Sequence, residues 1–269
     1  MLALDVILHR LQRGCQTMPY PDGPAPALPD RHGGALRVDA AKCAESCDAC
    51  LPVCPTKAIS RPALGPVVLD LGQCIFCAAC VQACPTKAIT QTNDHRLAVR
   101  RREDLLLGSP GQEELRLASA LDDQLRRLFG RSLRLRQVSA GGCNACEADT
   151  NVLGTIGWDL GRFGIQFVAS PRHADGLLIT GPVSKNMELA LRKTYEAVPE
   201  PKLVIAVGAC AIAGGPFIGH SQINNGAGAV VSVDLFIPGC PPHPLTILDG
   251  LLRLLGRIEA GDRTARAAK

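Results

Sequence analysis

The sequence predicts an α/β fold, a mostly parallel sheet in the second half of the chain behind a small α+β module in the first. Three observations predict it. Eight cysteines between positions 43 and 84 fall in two runs that repeat one pattern, which marks a separate small module. From residue 131 onward, short apolar runs bounded by glycine alternate with helical patterns, the texture of strands joined by helices. Hydrophobic residues make up 46% of the 269 but aromatics only 3%, so the core is built from Leu, Ile, Val and Ala.

Residues 1–36 are read as a helix and an arm. Leu4, Ile7, Leu8 and Leu11 recur at helical spacing, with Asp5, His9, Arg10 and Arg13 elsewhere around the wheel. This short amphipathic helix is expected to dock on a neighbouring protein surface, with a membrane face as the lesser alternative. The start, Met1-Leu2-Ala3-Leu4-Asp5, lacks the basic region and cleavage site of a signal peptide. Residues 18–36, rich in Pro, Gly and Asp, should form an irregular arm lying along other protein.

Residues 37–107 hold the cysteine runs, with hairpin strands such as Val67-Val68-Leu69, a half-turn of helix after each run, and a charged tail from Asp94 to Glu103. Residues 108–130 are expected to be a connecting helix. Leu115, Ala118, Leu121, Leu125 and Leu128 are spaced by three and four after Ser109-Pro110 and Glu113-Glu114. Residues 131–260 carry predicted strands at 133–138, 165–169, 176–180, 203–207 and 233–237, with helices at 187–197 and 244–258. Residues 261–269 are a tail. The most apolar stretch, 203–219, is too short and too interrupted by Gly208, Gly214, Gly215 and Pro216 to span a membrane.

The first run is Cys43-x3-Cys47-x2-Cys50-x3-Cys54-Pro55 and the second Cys74-x2-Cys77-x2-Cys80-x3-Cys84-Pro85. From the second cysteine of each run the copies align at an offset of 30, and both end Cys-Pro-Thr-Lys-Ala-Ile. Three close thiolates and a distant fourth followed by proline hold a cubane iron–sulfur cluster, and in the two-cluster form the fourth cysteine serves the other run's cluster. Cys43, Cys47, Cys50 and Cys84 are therefore assigned to one [4Fe–4S] cluster, and Cys74, Cys77, Cys80 and Cys54 to a second. Zinc would call for a longer spacer between cysteine pairs, and a disulfide framework for an oxidising compartment. The first run departs from the pattern by one residue (Ala44, Glu45 and Ser46 separate its opening cysteines), which sets Cys43 apart from the other seven.

Four more cysteines lie where predicted strands end. Cys143 and Cys146 sit in Gly141-Gly142-Cys143-Asn144-Ala145-Cys146-Glu147, Cys210 in Gly208-Ala209-Cys210, and Cys240 in Pro238-Gly239-Cys240-Pro241. Loops beyond the carboxyl ends of parallel strands gather at one edge, where ligand sites form, and the neighbouring glycines let backbone approach a bulky inorganic group. These four are assigned to a third [4Fe–4S] cluster; Cys15 is left over as structural or incidental. The formal net charge of +4 counts cysteines as neutral, so a cluster-loaded protein is less basic. The arginines are dispersed among acids without interleaved aromatics, which argues against nucleic acid as a partner.

Residues 135–256 resemble the small subunit of membrane-associated, group 4 [NiFe] hydrogenases of the formate hydrogenlyase type, itself similar to the cluster-N2 subunit of respiratory complex I. The resemblance rests on Gly141 to Glu147, Arg162-Phe163-Gly164-Ile165, Ser170 to Asp175, Thr180-Gly181-Pro182-Val183, Gly208-Ala209-Cys210 and Ile237 to Pro242. Complex I members usually carry two adjacent cysteines at the first site, so Cys143-x2-Cys146 sides with the hydrogenases. Residues 1–107 look like the ferredoxin-type subunit of the same complexes, down to Leu71-Gly72-Gln73-Cys74-Ile75-Phe76-Cys77. The resemblance implies a flavodoxin-like sheet and a fused chain that makes no bonds itself. It would pass electrons from a low-potential donor such as a formate dehydrogenase to the cluster nearest a nickel–iron centre in a separate large subunit. It also implies membrane subunits in the same complex and a peripheral place on the cytoplasmic face.

Alternatives remain: a complex-I-like, quinone- or ion-linked assembly without nickel, or a stand-alone ferredoxin-like carrier. Glu147 is read as capping the helix that begins beside it in preference to moving protons. His173 and Arg172 are read as turn residues without a catalytic role, and Lys57 and Lys87 as solvated.

Overall fold

Apolar strands buried on both faces need cover from helices on both sides, and parallel order follows from the crossovers that supply it. Five strands of the second half form such a sheet: β6 (Leu133–Ser139), β7 (Ile165–Phe167), β8 (Gly176–Thr180), β9 (Leu203–Val207) and β10 (Leu235–Ile237). The computed structural model describes residues 3–258 other than 30, 45, 64, 109–111 and 113. The sheet order is β10-β9-β8-β6-β7 with every pairing parallel, the flavodoxin-like order the sequence predicts. β8 and β9 are buried at every position, whereas β6 alternates at its start because arginines follow leucines there. Helices α4 (Ala145–Val152), α5 (Lys185–Ala197), α6 (Ala209–Ala213) and α7 (Pro244–Leu254) connect or follow these strands.

The first half is built from shorter pieces. β1 (Leu36–Val38) pairs antiparallel with β4 (Ile89–Gln91), and β2 (Ile59–Ser60), β3 (Val68–Asp70) and β5 (Leu106–Leu107) form a second small antiparallel sheet. β2 and β4 begin on the two isoleucines that are 30 apart, so the duplication is structural. The helical turn expected after each cysteine run falls inside the second, as α2 (Ala79–Ala83). Among the described residues the first run carries only turns.

The segment 94–103 is not a tail. Leu97, Ala98 and Val99 are buried, Val99 exchanges backbone hydrogen bonds with Phe236 of β10 (3.0 and 2.9 Å), and Arg100 Nε donates to the Asp234 carbonyl (2.8 Å). Part of its charge turns inward: Arg96 grips Asp94 bidentately at 2.7 Å, and Arg102 reaches Asp70 at 2.8 and 2.5 Å, whereas Arg101 and Glu103 stay exposed. This strap joins the module to the sheet edge. One buried cluster accordingly runs from Leu36, Leu69 and Ile89 through Cys74 and Cys80 to Ala140, Ile179 and Ile212.

The connecting helix is also shorter than predicted. Only α3 (Asp123–Phe129) is helical, capped by the Asp122 carboxylate on Leu125 N (2.9 Å). The expected opening at Ser109-Pro110 and Glu113 lies outside the described residues. Between 114 and 122 the chain is not helical, because Ala118 N bonds Ala98 O (2.7 Å) and Leu121 N bonds Leu254 O (2.9 Å). Those tertiary partners displace an i→i−4 ladder that a short segment sustains poorly.

The arm lies along the sheet domain. Arg162 donates to the carbonyls of Met18 and Tyr20 (2.7 Å each), and the Tyr20 hydroxyl donates to Asp249 (2.7 Å). Asp249 and Arg253 form a buried ion pair (2.8 Å) within α7, whose every residue is buried. α1 (Ala3–Arg13) is helical, and its apolar face is uncovered in the chain alone, Leu4 at 64% and Leu11 at 74% exposure.

Candidate iron–sulfur centres

The two cysteine runs cross. Cys43, Cys47 and Cys50 share a cavity with Cys84 of the second run, and Cys74, Cys77 and Cys80 share another with Cys54 of the first. The repeated Cys-Pro-Thr-Lys-Ala turn produces this. Lys57 and Lys87 both adopt a left-handed backbone (φ +53° and +54°), which turns the following N–H back onto sulfur. Ala58 N reaches Cys54 Sγ and Ala88 N reaches Cys84 Sγ, each at 3.2 Å. The hydroxyls of Thr56 and Thr86 stand 3.7 Å from the same sulfurs. The lysine side chains themselves are exposed, as expected.

At the sheet, the third group assembles at the carboxyl ends of β6, β9 and β10. Cys143 and Cys146 follow β6 and open α4, Cys210 lies in α6, and Cys240 follows β10. Glycine is required where these loops meet. Gly208 has φ +91°, and a Cβ there would lie 2.5 Å from Cys146 Sγ; one on Gly215 would lie 2.9 Å from Cys210 Sγ.

In the first group burial raises the Cys50 thiol, whereas at Cys84 burial is outweighed by hydrogen bonds from the Ile89, Thr86 and Ala88 positions, which lower it; in the other two groups the thiols of Cys74, Cys80, Cys146 and Cys210 are raised. Burial, then the neighbouring thiols Cys80, Cys54 and Cys77, push the Cys74 thiol up to about 12. Cys80 is pushed up to about 11 by burial, Cys54 and Cys77, and Cys210 to about 11 by burial, Cys240, Cys143 and Glu147. Cys146 is raised by burial and then by Cys210, Glu147, Cys240 and Cys143. Clustered thiols of this kind ionise together only around a compensating cationic core. Among the described residues no three or more His, Cys, Asp or Glu side chains close on a point that would hold one metal ion. In the first two groups the thiols instead line cavities, and in the third they stand close enough to raise one another, the arrangement that a cubane with one iron per thiolate needs, so the residues fit such a group.

Glu147 is not a helix cap. Its Oε1 accepts from the hydroxyls of Ser139 and Thr180, 2.6 Å each, at the ends of β6 and β8. That is the point where strand order reverses, the crevice at which this class of sheet places ligands. Burial disfavours its charge, but the two hydroxyl donors outweigh this and hold its carboxyl below the usual range. Sequence reading missed Ser139 and Thr180, and it also missed Arg61, whose Nη2 donates to the Cys47 carbonyl and lies 3.9 Å from Cys43 Sγ. Arg172 and His173 are exposed in a short turn, and Cys15 is exposed after α1.

Residues 143–254 match the family described as the NADH ubiquinone oxidoreductase 20 Kd subunit, and residues 37–101 the 4Fe-4S dicluster domain. A probable membrane-bound hydrogenase subunit, mbhJ, of Pyrococcus furiosus is 41% identical over 135 residues, which is 50% of this chain and 81% of that protein. A chain of the membrane-bound sulfane sulfur reductase, an archaeal respiratory membrane complex, is 33% identical with a TM-score of 0.44, covering 53% of this chain and 78% of its own. A chain of an NAD+-reducing [NiFe]-hydrogenase in the H2-reduced state is 24% identical with a TM-score of 0.39, covering 51% of this chain and 99% of its own.

Proposed function

The chain belongs to the NADH ubiquinone oxidoreductase 20 Kd subunit family, whose relatives include a membrane-bound hydrogenase subunit, and on that premise we propose that it relays electrons within a membrane-bound hydrogenase-type complex through three [4Fe–4S] clusters. The observation that carries the reading is the sorting of twelve cysteines into three groups of four, each group gathered from residues distant in sequence. The clusters supply one-electron carriage. The chain's residues hold them, space them and tune them. Twelve thiolates ligate, glycines 208 and 215 admit the third cluster, and N–H groups on Cys54 and Cys84 favour the more negative state of the first two.

Packing supports an order along the relay. Gly72, two residues before Cys74, sits against Ile212, two residues after Cys210 (a Cβ on Gly72 would lie 2.8 Å from Ile212). The centre on Cys54, Cys74, Cys77 and Cys80 is thus the inner one of its pair, and the centre on Cys43, Cys47, Cys50 and Cys84 the outer. Residues 37–107 act as the dicluster domain and 131–260 as the partner-facing domain. In this reading a nickel–iron large subunit meets the third centre, and a low-potential donor such as a formate dehydrogenase serves the outer one. No described helix is long and apolar enough to cross a membrane. In this reading the chain attaches to the cytoplasmic face through partner subunits.

Iron and acid-labile sulfide analysis of anaerobically purified protein, with EPR of the reduced state, tests the reading: about twelve irons and three interacting cubanes are expected. A count of about eight would remove the third centre and the hydrogenase assignment with it. The family match leaves a complex-I-like assembly as the second reading. A co-purifying large subunit without two Cys-x2-Cys pairs would favour it.

A further inference from the structure

We propose that Arg61 sets the two N-terminal centres apart in redox potential, holding the outer one, on Cys43, Cys47, Cys50 and Cys84, above its inner duplicate. The inference rests on the ligand sets given above. The internal repeat provides its own control: at the offset of 30, Arg61 corresponds to Gln91. Arg61 follows its isoleucine strand and Gln91 ends its own, and each lies beside the opening loop of its own run.

On the outer side the contact is a full positive charge. Arg61 Nη2 donates to the Cys47 carbonyl and lies 3.9 Å from Cys43 Sγ, with Nη1 on the Gly65 carbonyl at 3.4 Å. On the inner side the corresponding group is a neutral amide. A Cβ on Gly33 would lie 3.2 Å from Gln91 Nε2 and 3.3 Å from the Phe76 carbonyl, so the amide lies beside the Cys74–Cys77 loop, its Nε2 buried and without a hydrogen-bond partner among the described residues.

The remaining donors either cancel or are weaker. The Ala58 and Ala88 N–H groups and the Thr56 and Thr86 hydroxyls contact one sulfur of each centre at equal distances. The inner centre has Phe76 N on Cys74 Sγ at 3.3 Å, but this is a neutral dipole, and a hydrogen bond from an ionised donor is roughly twice as strong. Asp48 lies 2.6 Å from Arg61 Nε and opposes its charge. Its side chain is 63% exposed against 15% for Arg61, so solvent screens the carboxylate more than the guanidinium. Burial does not set the two centres apart: Cys74 and Cys80 of the inner centre are buried but Cys77 is exposed, whereas the outer four hold one buried and no exposed cysteine. A positive charge and an N–H against the thiolates favour the state that carries the extra electron. An electron entering the module therefore rests on the outer centre before moving inward.

EPR-monitored potentiometry of the full-length protein tests this with Arg61→Gln, which copies the inner side, and Arg61→Lys, which keeps the charge. In Arg61→Gln one reduced-state signal should move to lower potential while the others stay, and Arg61→Lys should restore most of the shift. Unmoved signals in Arg61→Gln at wild-type iron content would overturn the inference. So would a loss of about four irons in both variants, which would make Arg61 a brace for the loop and nothing more. If the wild type itself shows no cubane signals, the relay reading fails, an outcome separate from either of these.

Discussion

A methyl group at position 208 would stand 2.5 Å from the Cys146 sulfur on a backbone with φ +91°, so Gly208 is fixed by both space and conformation. Gly208→Ala should therefore cost the third centre alone, lowering iron by about four per chain while the EPR of the other two survives. Glu147 works through its partners. Glu147→Ala removes the shared acceptor of the Ser139 and Thr180 hydroxyls, leaving Thr180 only the Val138 carbonyl at 3.4 Å, a loss of about 1–3 kcal/mol in denaturant unfolding, and Glu147→Gln, which keeps an acceptor oxygen, should lose less. The cysteines were legible in the sequence because ligand spacing is local within each run and strand ends announce the rest. Glu147's role was not, since its partners lie 8 and 33 positions away and only the strand order brings them together.

The strands at 176–180 and 203–207 coincide with their apolar runs because each is covered on both faces and nothing competes for them. The strap and the segment 114–122 were misread for the opposite reason: their backbone groups answer to β10 and α7, which no periodicity reveals. Helix α7 showed one leucine face in sequence, yet the arm and strap cover the rest, so Asp249 and Arg253 are buried as well. Asp249→Ala leaves Arg253 without that carboxylate and the Tyr20 hydroxyl without its acceptor, and should cost about 3–5 kcal/mol of unfolding free energy. The same junction is acid-sensitive. Burial lowers the pKa values of His32, His95 and His243, with His243 adding to the effect on His32. A histidine lowered in the folded state binds protons more readily once unfolded, so its stabilisation is full above the ordinary value of about 6.5 and is lost as pH falls below it. Melting temperature should drop over that window, and His95→Gln should flatten the slope.

At the scale of the molecule, the dicluster module and the sheet share one buried cluster, although their sequence signatures are separate. Unfolding followed by cluster absorbance and by far-UV circular dichroism should give coincident transitions; two resolved transitions would show modules that fold apart. The shared core also explains how two units can be read independently from sequence and yet be inseparable in structure. The pairing of Val99 with Phe236 ties the iron-bearing front to the rim of the sheet by backbone alone. Tunnelling between redox centres weakens exponentially with the gap, so in the proposed relay a main-chain rivet of this kind is a mechanical spacer. Substitution of the side chains at positions 99 and 236 leaves that spacing to the backbone.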